Sequence, residues 1–442
     1  MRNILLIFYI HCIISNISQS DAVAQDFTQL IRQSWAHNDQ LKAKSFEIEK
    51  ADLNFREAKA MYGPTITFGT QYTLASGGRS IDFPVGDLLN PVYSTLNKIT
   101  AANSFPQIEN VNTQFLPNNF YDAKIRISQP IYYPDLAINK QLKLEAVQME
   151  KLELKAFKRI ISRDVMIAYF QWETSGRAIE IFKAADTLLM EARRTTQSMI
   201  RNGIALPSAL ARIENQMASV QAQQIEATSN HQNALSYLRF VTGVTGVPDK
   251  ISLPELPDLS SLIPGQREEL EQISQGIKMK SLAINKENKF YTPRLGVQLD
   301  GGSQAFDFGF QPYTLLGINL EVNIFDNKRH QYRKDASKAD IQASEWQKSY
   351  VSDQIDLQST ISKQNLSSAI EQVQTFKIRI GAVDKLYKEV FQKYKEGTST
   401  YLELVDAQTQ VTQMKLQYLM AKQNAWMKWA ECVYTLAIFP IE

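Results

Sequence analysis

Four short segments of the chain alternate apolar and polar residues with the period of two that is typical of β-strands. They cover residues 65–75, 121–132, 294–302 and 314–325. In each segment one face is apolar, the other is polar or charged, and aromatic residues gather near the ends. A transmembrane strand needs ~9–11 residues, so this pattern predicts four strands of a transmembrane β part. A soluble sheet with one wet face also fits the alternation.

A different period governs two much longer stretches, residues 135–242 and 327–437. Their apolar residues recur at alternating gaps of three and four, which predicts left-handed coiled coils. Gly203 and Gly397 interrupt the two stretches, so each one predicts a helical hairpin. The seam of the first helix of each hairpin contains Ala178, Ile181, Ala185, Leu188, Ala192, Thr195 and Met199 in one case, and Ala369, Val373, Phe376, Ile380, Val383, Tyr387, Val390 and Tyr394 in the other.

The order of these elements occurs twice, which indicates an internal duplication. Each copy reads helix, strand, loop, strand, long helix, glycine, helix. The end of the second strand, Ile131 in the first copy and Ile324 in the second, precedes the glycine by 72 and 73 residues respectively. We therefore predict one repeat over residues 25–243 and another over 266–442, joined by a proline-rich connector over 244–265.

The N-terminus and the composition restrict the function. Arg2, an apolar run and the small residues Ala22-Val23-Ala24 predict a signal peptide over residues 1–24. Lysine and arginine number 48 against 46 aspartate and glutamate, which argues against a nucleic-acid-binding protein. The sequence contains no HExxH, P-loop or GxSxG motif and no cysteine pair with metal spacing. We expect no enzyme activity, no cofactor and no metal site.

The number of strands bears on the assembly. Four strands are too few to close a transmembrane barrel, because the smallest ones need ~8. If the strands cross a membrane, several chains must share one barrel. The fold class that we predict is mainly α with a transmembrane β part.

The chain resembles the TolC-like outer-membrane efflux protein family over essentially its whole mature length. The resemblance rests on the duplicated plan, on Gln129-Pro130-Ile131-Tyr132 and on Tyr394-Lys395-Glu396-Gly397 followed by the segment 401–408, YLELVDAQ. It implies a homotrimer with a shared twelve-strand barrel in the outer membrane and a helical tunnel through the periplasm of a Gram-negative cell. It also implies a periplasmic adaptor and an inner-membrane pump of the RND or ABC type as partners.

The resemblance also implies roles for residues near the second glycine. Glu403 and Asp406 match the acids that ring the periplasmic entrance in the family, and Tyr394 matches a tyrosine that helps to hold the entrance closed. Two expected partners are missing, because a serine, Ser399, replaces a basic residue and Ala209 replaces an acid. Arg212 is a candidate substitute partner.

Several of these residues have a second interpretation. Thr400-x-x-Glu403 is also a capping box, which would give Glu403 a purely structural role. The two turns, with Gly203, Gly397, Leu210 and Leu404, are the expected contact region for an adaptor. In a barrel, the strand charges Asp122, Lys124, Arg126, Asp300 and Glu321 would line the lumen; in a soluble sheet they would form a solvated face.

Two functions therefore stay open at this point. One is an outer-membrane exit duct, for which antibiotics, metal ions, polysaccharides and secreted proteins all fit as cargo. The other is a periplasmic or surface coiled-coil scaffold or adhesin without channel activity. The long loop 76–119 has no predicted role in either.

Overall fold

The computed structural model describes residues 28–244, 246, 262 and 264–439. The signal peptide predicted over residues 1–24 and most of the connector predicted over 244–265 lie outside the described residues.

Helices dominate the described part of the chain, as the predicted fold class requires. They are residues 28–37 (α1), Asp39–Ala60 (α2), Val85–Thr100 (α3), Pro134–Arg201 (α4), Pro207–Thr242 (α5), Glu268–Asn288 (α6), Arg329–Lys395 (α7) and Tyr401–Thr435 (α8). Among the described residues, no helix combines the length and the apolar character needed to span a membrane.

The buried positions of α7 and α8 follow the predicted coiled-coil seam. Ala369, Val373, Tyr387 and Tyr394 are buried along α7. Along α8 the buried series contains Leu404, Ala407, Val411 and Met414 at gaps of three and four, and Ala421 and Ala425 one heptad further on. The 3.5-residue spacing therefore keeps the seam inside, and Phe391, Thr412 and Leu419, each one residue after a seam position, are buried beside it.

A four-stranded antiparallel sheet has the strand order β1-β4-β5-β6. Its members are Thr65–Thr73 (β1), Phe120–Tyr132 (β4), Arg294–Phe306 (β5) and Pro312–Glu321 (β6). Each of the two predicted repeats thus contributes two strands, and β4 of the first pairs with β5 of the second. Within the described chain β1 and β6 each have one unpaired edge.

The last strand ends earlier than the alternation predicts. We expected it to continue to Phe325, but β6 ends at Glu321. Its partner β5 begins at Arg294, which pairs with Glu321, so the residues that follow have no backbone groups to pair with. Pro293 precedes that first residue and has no N–H to extend the ladder.

The long loop between β1 and β4 is a small folded unit. Ser80–Phe83 (β2) pairs with Val111–Gln114 (β3), and α3 lies between them in the chain. The side chain of Asn97 donates to the carbonyl oxygen of Phe105 at 2.8 Å and accepts from its N–H at 3.1 Å. Asn90 makes the same pair of bonds with Ile108, both at 2.9 Å. The return segment is therefore held along α3 without a regular ladder.

The chain divides into two compact units, and the division falls within helices. Of the described residues, those within 28–53, 144–281 and 339–439 form the first unit, and residues 54–143 and 282–338 form the second. The first contains both hairpin turns, and the second contains the sheet. The main apolar cluster of the first unit joins α1, α4, α5 and α8 around Tyr169, Phe170 and Trp426.

A buried clasp in the first unit joins the start of α6 to α4 and to the end of the chain. Arg159 and Glu268 form a two-point ion pair in which both residues are 5 % exposed. Arg159 also donates to the carbonyl oxygen of Phe439 at 3.2 Å, and Gly265 donates its N–H to the carbonyl oxygen of Leu436 at 2.7 Å. Both charges are thus fully engaged away from water.

Candidate functional site

Each helical hairpin reverses at a glycine in the left-handed conformation. Gly203 has φ 73°, its N–H bonds to the carbonyl oxygen of Ile200, and the N–H of Ile204 bonds to that of Met199. This pair of bonds is a Schellman motif, which satisfies carbonyl groups at a helix end. Gly397, with φ 75°, has the corresponding two bonds. The two turns are therefore built in the same way.

The left-handed conformation makes a direct prediction. Replacing Gly397 by alanine should lower the free energy of unfolding by about 1–2 kcal/mol, because a Cβ is strained at this φ. Gly381 is the matched control, since it lies inside α7 and its Cβ would meet no atom within 4 Å. There, alanine should raise the stability by up to about 1 kcal/mol. Thermal melting of both purified variants checks the opposite signs, and equal shifts would contradict the prediction.

The restart of the second hairpin is a complete capping box. The N–H of Glu403 donates to Oγ1 of Thr400 at 3.3 Å, and the N–H of Thr400 donates to the Glu403 carboxylate at 3.1 Å. The hydroxyl of Ser399 donates to the same carboxylate. Glu403 therefore has the complete structural role of a capping-box residue.

The same bonds lower the pKa of Glu403. The Ser399 hydroxyl has the largest effect and the Thr400 N–H follows, because both stabilise the ionised carboxylate. A carboxyl group whose pKa falls on folding adds stability above its unfolded pKa. The contribution of the cap is therefore complete at neutral pH and is lost as the pH falls through the lowered pKa of the folded state.

Asp406 is not needed for this cap. It is exposed, one turn further along α8, and its partner is the Gln410 carboxamide at 2.7 Å. Arg212 is also exposed on α5 and forms no ion pair with any residue that the structure describes. The single chain does not bring Asp406 and Arg212 together in an ion pair, so a contact between them stays a prediction for the assembled protein.

Tyr394 is committed inside the chain. Its side chain is 3 % exposed, and its hydroxyl lies 2.6 Å from Oγ1 of Thr196 on α4. Lys395 lies 3.5 Å from Glu191 on the same helix. The tyrosine therefore fastens the end of α7 to the end of α4 instead of contacting the two acids.

Tyr387 lies two turns earlier on α7. Its hydroxyl is buried without a hydrogen-bond partner among the described residues, and burial raises its pKa to about 12. The helix ends are thus packed around two tyrosines, only one of which is hydrogen-bonded.

The apolar residues available to a partner at the turns differ from those expected. Leu404 is 1 % exposed and packs in the core of the two hairpins, so it does not belong to a contact surface. Leu210 is half-buried. The exposed apolar side chains at the turns are Ile204, Leu206 and Leu402. They escaped the sequence analysis because they lie off the heptad seam.

In the sheet, the predicted lumen residues fall into two groups. Asp122, Lys124, Arg126 and Asp300 lie close together in one network across β4 and β5. Glu321 lies apart, at the end of β6, beside Arg294. Among the described residues, no cluster of His, Cys, Asp or Glu is arranged to hold a metal ion.

The fold is shared with solved outer-membrane channels. The outer-membrane channel OprN matches with 14 % identity and a TM-score of 0.70, over 93 % of this chain and 90 % of that one. VceC from Vibrio cholerae matches with 13 % identity and a TM-score of 0.70, over 93 % and 96 %. The open state of MtrE from Neisseria gonorrhoeae matches with 14 % identity and a TM-score of 0.69, over 93 % and 88 %.

A sequence comparison matches part of the chain to a family. Residues 262–431 match the family model described as outer membrane efflux protein. No curated protein matches the chain. The predicted resemblance to the TolC-like outer-membrane efflux family is confirmed by the family model, which matches most of the predicted second repeat. The solved channels share the fold of nearly the whole chain.

Proposed function

We propose that this protein is the outer-membrane exit duct of a tripartite efflux or secretion system. One observation carries the proposal: the four-stranded sheet has an exposed apolar face, a face that bears all its charged residues, and two free edges. The exposed apolar side chains include Ile66, Phe68, Leu316, Ile318 and Leu320. The exposed apolar face is suited to contact lipid, and the free edges of β1 and β6 are suited to pair with strands of other copies.

The assembly that satisfies these edges is a homotrimer. Three copies of a four-stranded sheet supply twelve strands, enough for a closed barrel in which β6 of one copy pairs with β1 of the next. Closure removes the unpaired backbone groups that the hydrocarbon core does not tolerate. The duct conducts passively, and the pump of an inner-membrane partner supplies the energy.

A coiled-coil scaffold or adhesin accounts for the helices but not for the sheet. In a soluble scaffold, the exposed apolar side chains of the sheet would form a large patch, which favours aggregation. The free edges would add to that hazard.

The hairpin turns are the proposed meeting point with the adaptor. Ile204, Leu206 and Leu402 offer apolar contacts there. Asp406 and Arg212 are exposed, form no ion pair within the described part of the chain, and offer charges of both signs. If the adaptor binds at these turns, Glu403 and Asp406 lie at the entrance of the duct.

The experiment uses one pair of neighbouring residues on β6. Ile318 lies on the proposed lipid face, so Ile318→Lys should cost about 2–4 kcal/mol of stability in the membrane, whereas Asn319→Lys changes the polar face. We expect Ile318→Lys to remove heat-modifiable trimers from the outer-membrane fraction and Asn319→Lys to retain them. The wild-type trimer should form channels in planar lipid bilayers. A soluble, elongated wild-type protein without conductance would favour the scaffold.

A further inference from the structure

All six charged residues of the four sheet strands lie on one face. The strands contain Asp122, Lys124, Arg126, Arg294, Asp300 and Glu321 as their only charged residues. Directly paired residues of antiparallel strands point to the same side, and the pairs Arg126–Asp300 and Arg294–Glu321 are of this kind. The remaining charges are two or four residues from these along β4, so they share that side. Three acids and three bases give this face no net charge.

The strongest pair joins β4 to β5. Arg126 donates from Nε to Oδ1 of Asp300 at 2.9 Å and from Nη2 to Oδ2 at 2.8 Å. Gln298 donates to the same carboxylate at 2.8 Å. Asp300 is 4 % exposed, while the guanidinium side remains accessible. A two-point ion pair of this geometry holds both charges in place.

The second pair, Lys124 and Asp122, lies on β4 next to Arg126. Lys124 contacts Asp122, which also accepts a hydrogen bond of 2.9 Å from the hydroxyl of Tyr313. Gly302 lies opposite Lys124, and a Cβ there would come within 2.8 Å of the lysine Cβ. The first atom that this Cβ would meet is the backbone carbonyl oxygen of Ala123, so only a glycine fits opposite Lys124.

The third pair, Arg294 and Glu321, joins the start of β5 to the end of β6. Arg294 lies 3.7 Å from Glu321 and 2.7 Å from Asp135, the acid in the first turn of α4. Every acid of the sheet therefore has a base beside it.

We propose that Arg126 and Lys124 are specificity-determining residues of the duct, because they cancel Asp300 and Asp122 on the lumen face and keep the barrel from selecting its cargo by charge. This inference rests on the proposed function. The hairpin turns differ, since neither Glu403 nor Asp406 forms an ion pair with a base among the described residues, and their hydrogen-bond donors are uncharged. Selection by charge then belongs to the entrance, and the exit accepts cargo of either sign.

The pairs also hold neighbouring strands in register, so the test must separate charge from structure. Arg126→Gln leaves three uncompensated Asp300 carboxylates in a trimer. Asp300→Asn leaves three accessible Arg126 side chains. Planar-bilayer recordings in a KCl gradient give the ratio of cation to anion permeability for each variant.

We expect Arg126→Gln to raise the permeability ratio at least about threefold and Asp300→Asn to lower it by a similar factor, because a narrow passage concentrates counter-ions of a fixed charge. The double variant, Arg126→Gln with Asp300→Asn, should return to the wild-type ratio. Lys98→Gln is the control, since it removes one positive charge outside the sheet. Asp122→Asn, which leaves Lys124 accessible, repeats the anion shift at the second pair if an Arg126 variant does not fold.

Three results decide between the possibilities. Opposite shifts that cancel in the double variant support the inference. Unchanged ratios in conducting Asp300→Asn and Asp122→Asn variants overturn it while the proposed function stands. A wild-type protein that never conducts overturns the proposed function, and the inference with it.

Discussion

Replacing Arg159 by leucine should lower the free energy of unfolding by about 3–5 kcal/mol, among the largest effects of any single substitution in the chain. The substitution leaves Glu268 buried without the two-point partner that it has at 2.8 Å in the structure, and an uncompensated buried charge is strongly destabilising. It also removes the bond to the carbonyl oxygen of Phe439. Thermal and denaturant unfolding of the purified variant in detergent measure the loss.

Two further variants separate the lost charge partner from lost packing. Leucine at both Arg159 and Glu268 should recover most of the stability, because replacing a buried ion pair by apolar side chains is often neutral. Lys338→Ala breaks an ion pair with Asp335 that is about half exposed, and it should cost only ~0.2–1 kcal/mol. If the double variant is as unstable as Arg159→Leu alone, the unpaired charge is not the cause.

The buried pair of Arg159 and Glu268 could not be predicted from the sequence. Arg159 and Glu268 are 109 residues apart, and nothing in their local sequences marks either as buried. A charged residue on a helix is ordinarily read as a solvated position. Only the tertiary fold shows that these two charges meet.

Periodicity predicts well where large and small residues alternate strongly. In α7 and α8 predicted seam positions such as Val373, Tyr387 and Val411 are buried, since aromatic and branched residues define them. Phe391 and Leu419, each one residue after a predicted position, are buried as well. In α4 the buried series contains Phe182, Leu189 and Thr196, one residue after each predicted position Ile181, Leu188 and Thr195. Similar residues stand at both positions of each pair, so the pattern does not choose between them.

The same limit applies to the loop 76–119. Its α3 is strongly amphipathic, but the segment is held by hydrogen bonds from Asn90 and Asn97 to backbone groups that follow at a distance. An asparagine reads as a turn residue in a sequence. Its role as a two-point link to a returning segment depends on contacts that have no period.

Asp406→Asn should reduce the block of the channel by multivalent cations about tenfold, without loss of thermal stability. The reason is that Asp406 is exposed, takes no part in the capping box, and would occur three times at the entrance of a trimer. Planar-bilayer recordings with hexamminecobalt on the periplasmic side measure the block. The stability of the same preparation is measured by thermal unfolding.

Glu403→Gln provides the contrast within the same turn. Glutamine keeps the reciprocal bonds of a capping box but removes the charge. If Glu403 acts only as a cap, this variant keeps both the block and most of the stability. If it also belongs to the acidic ring, the block falls as it does for Asp406→Asn. Thr400→Ala, which removes the cap and leaves both acids, should lower the stability by about 0.5–2 kcal/mol and retain the block.

An unchanged block in Asp406→Asn would remove the aspartate from the aperture, whatever the other variants show. A block that falls in every variant, including Thr400→Ala, would mean that the shape of the turn controls the entrance and not its charge. We expect two separate roles one helical turn apart. Thr400 and Glu403 cap the start of α8, and Asp406 supplies the fixed negative charge of the entrance. The restart of the helix and the charge of the entrance can then change independently.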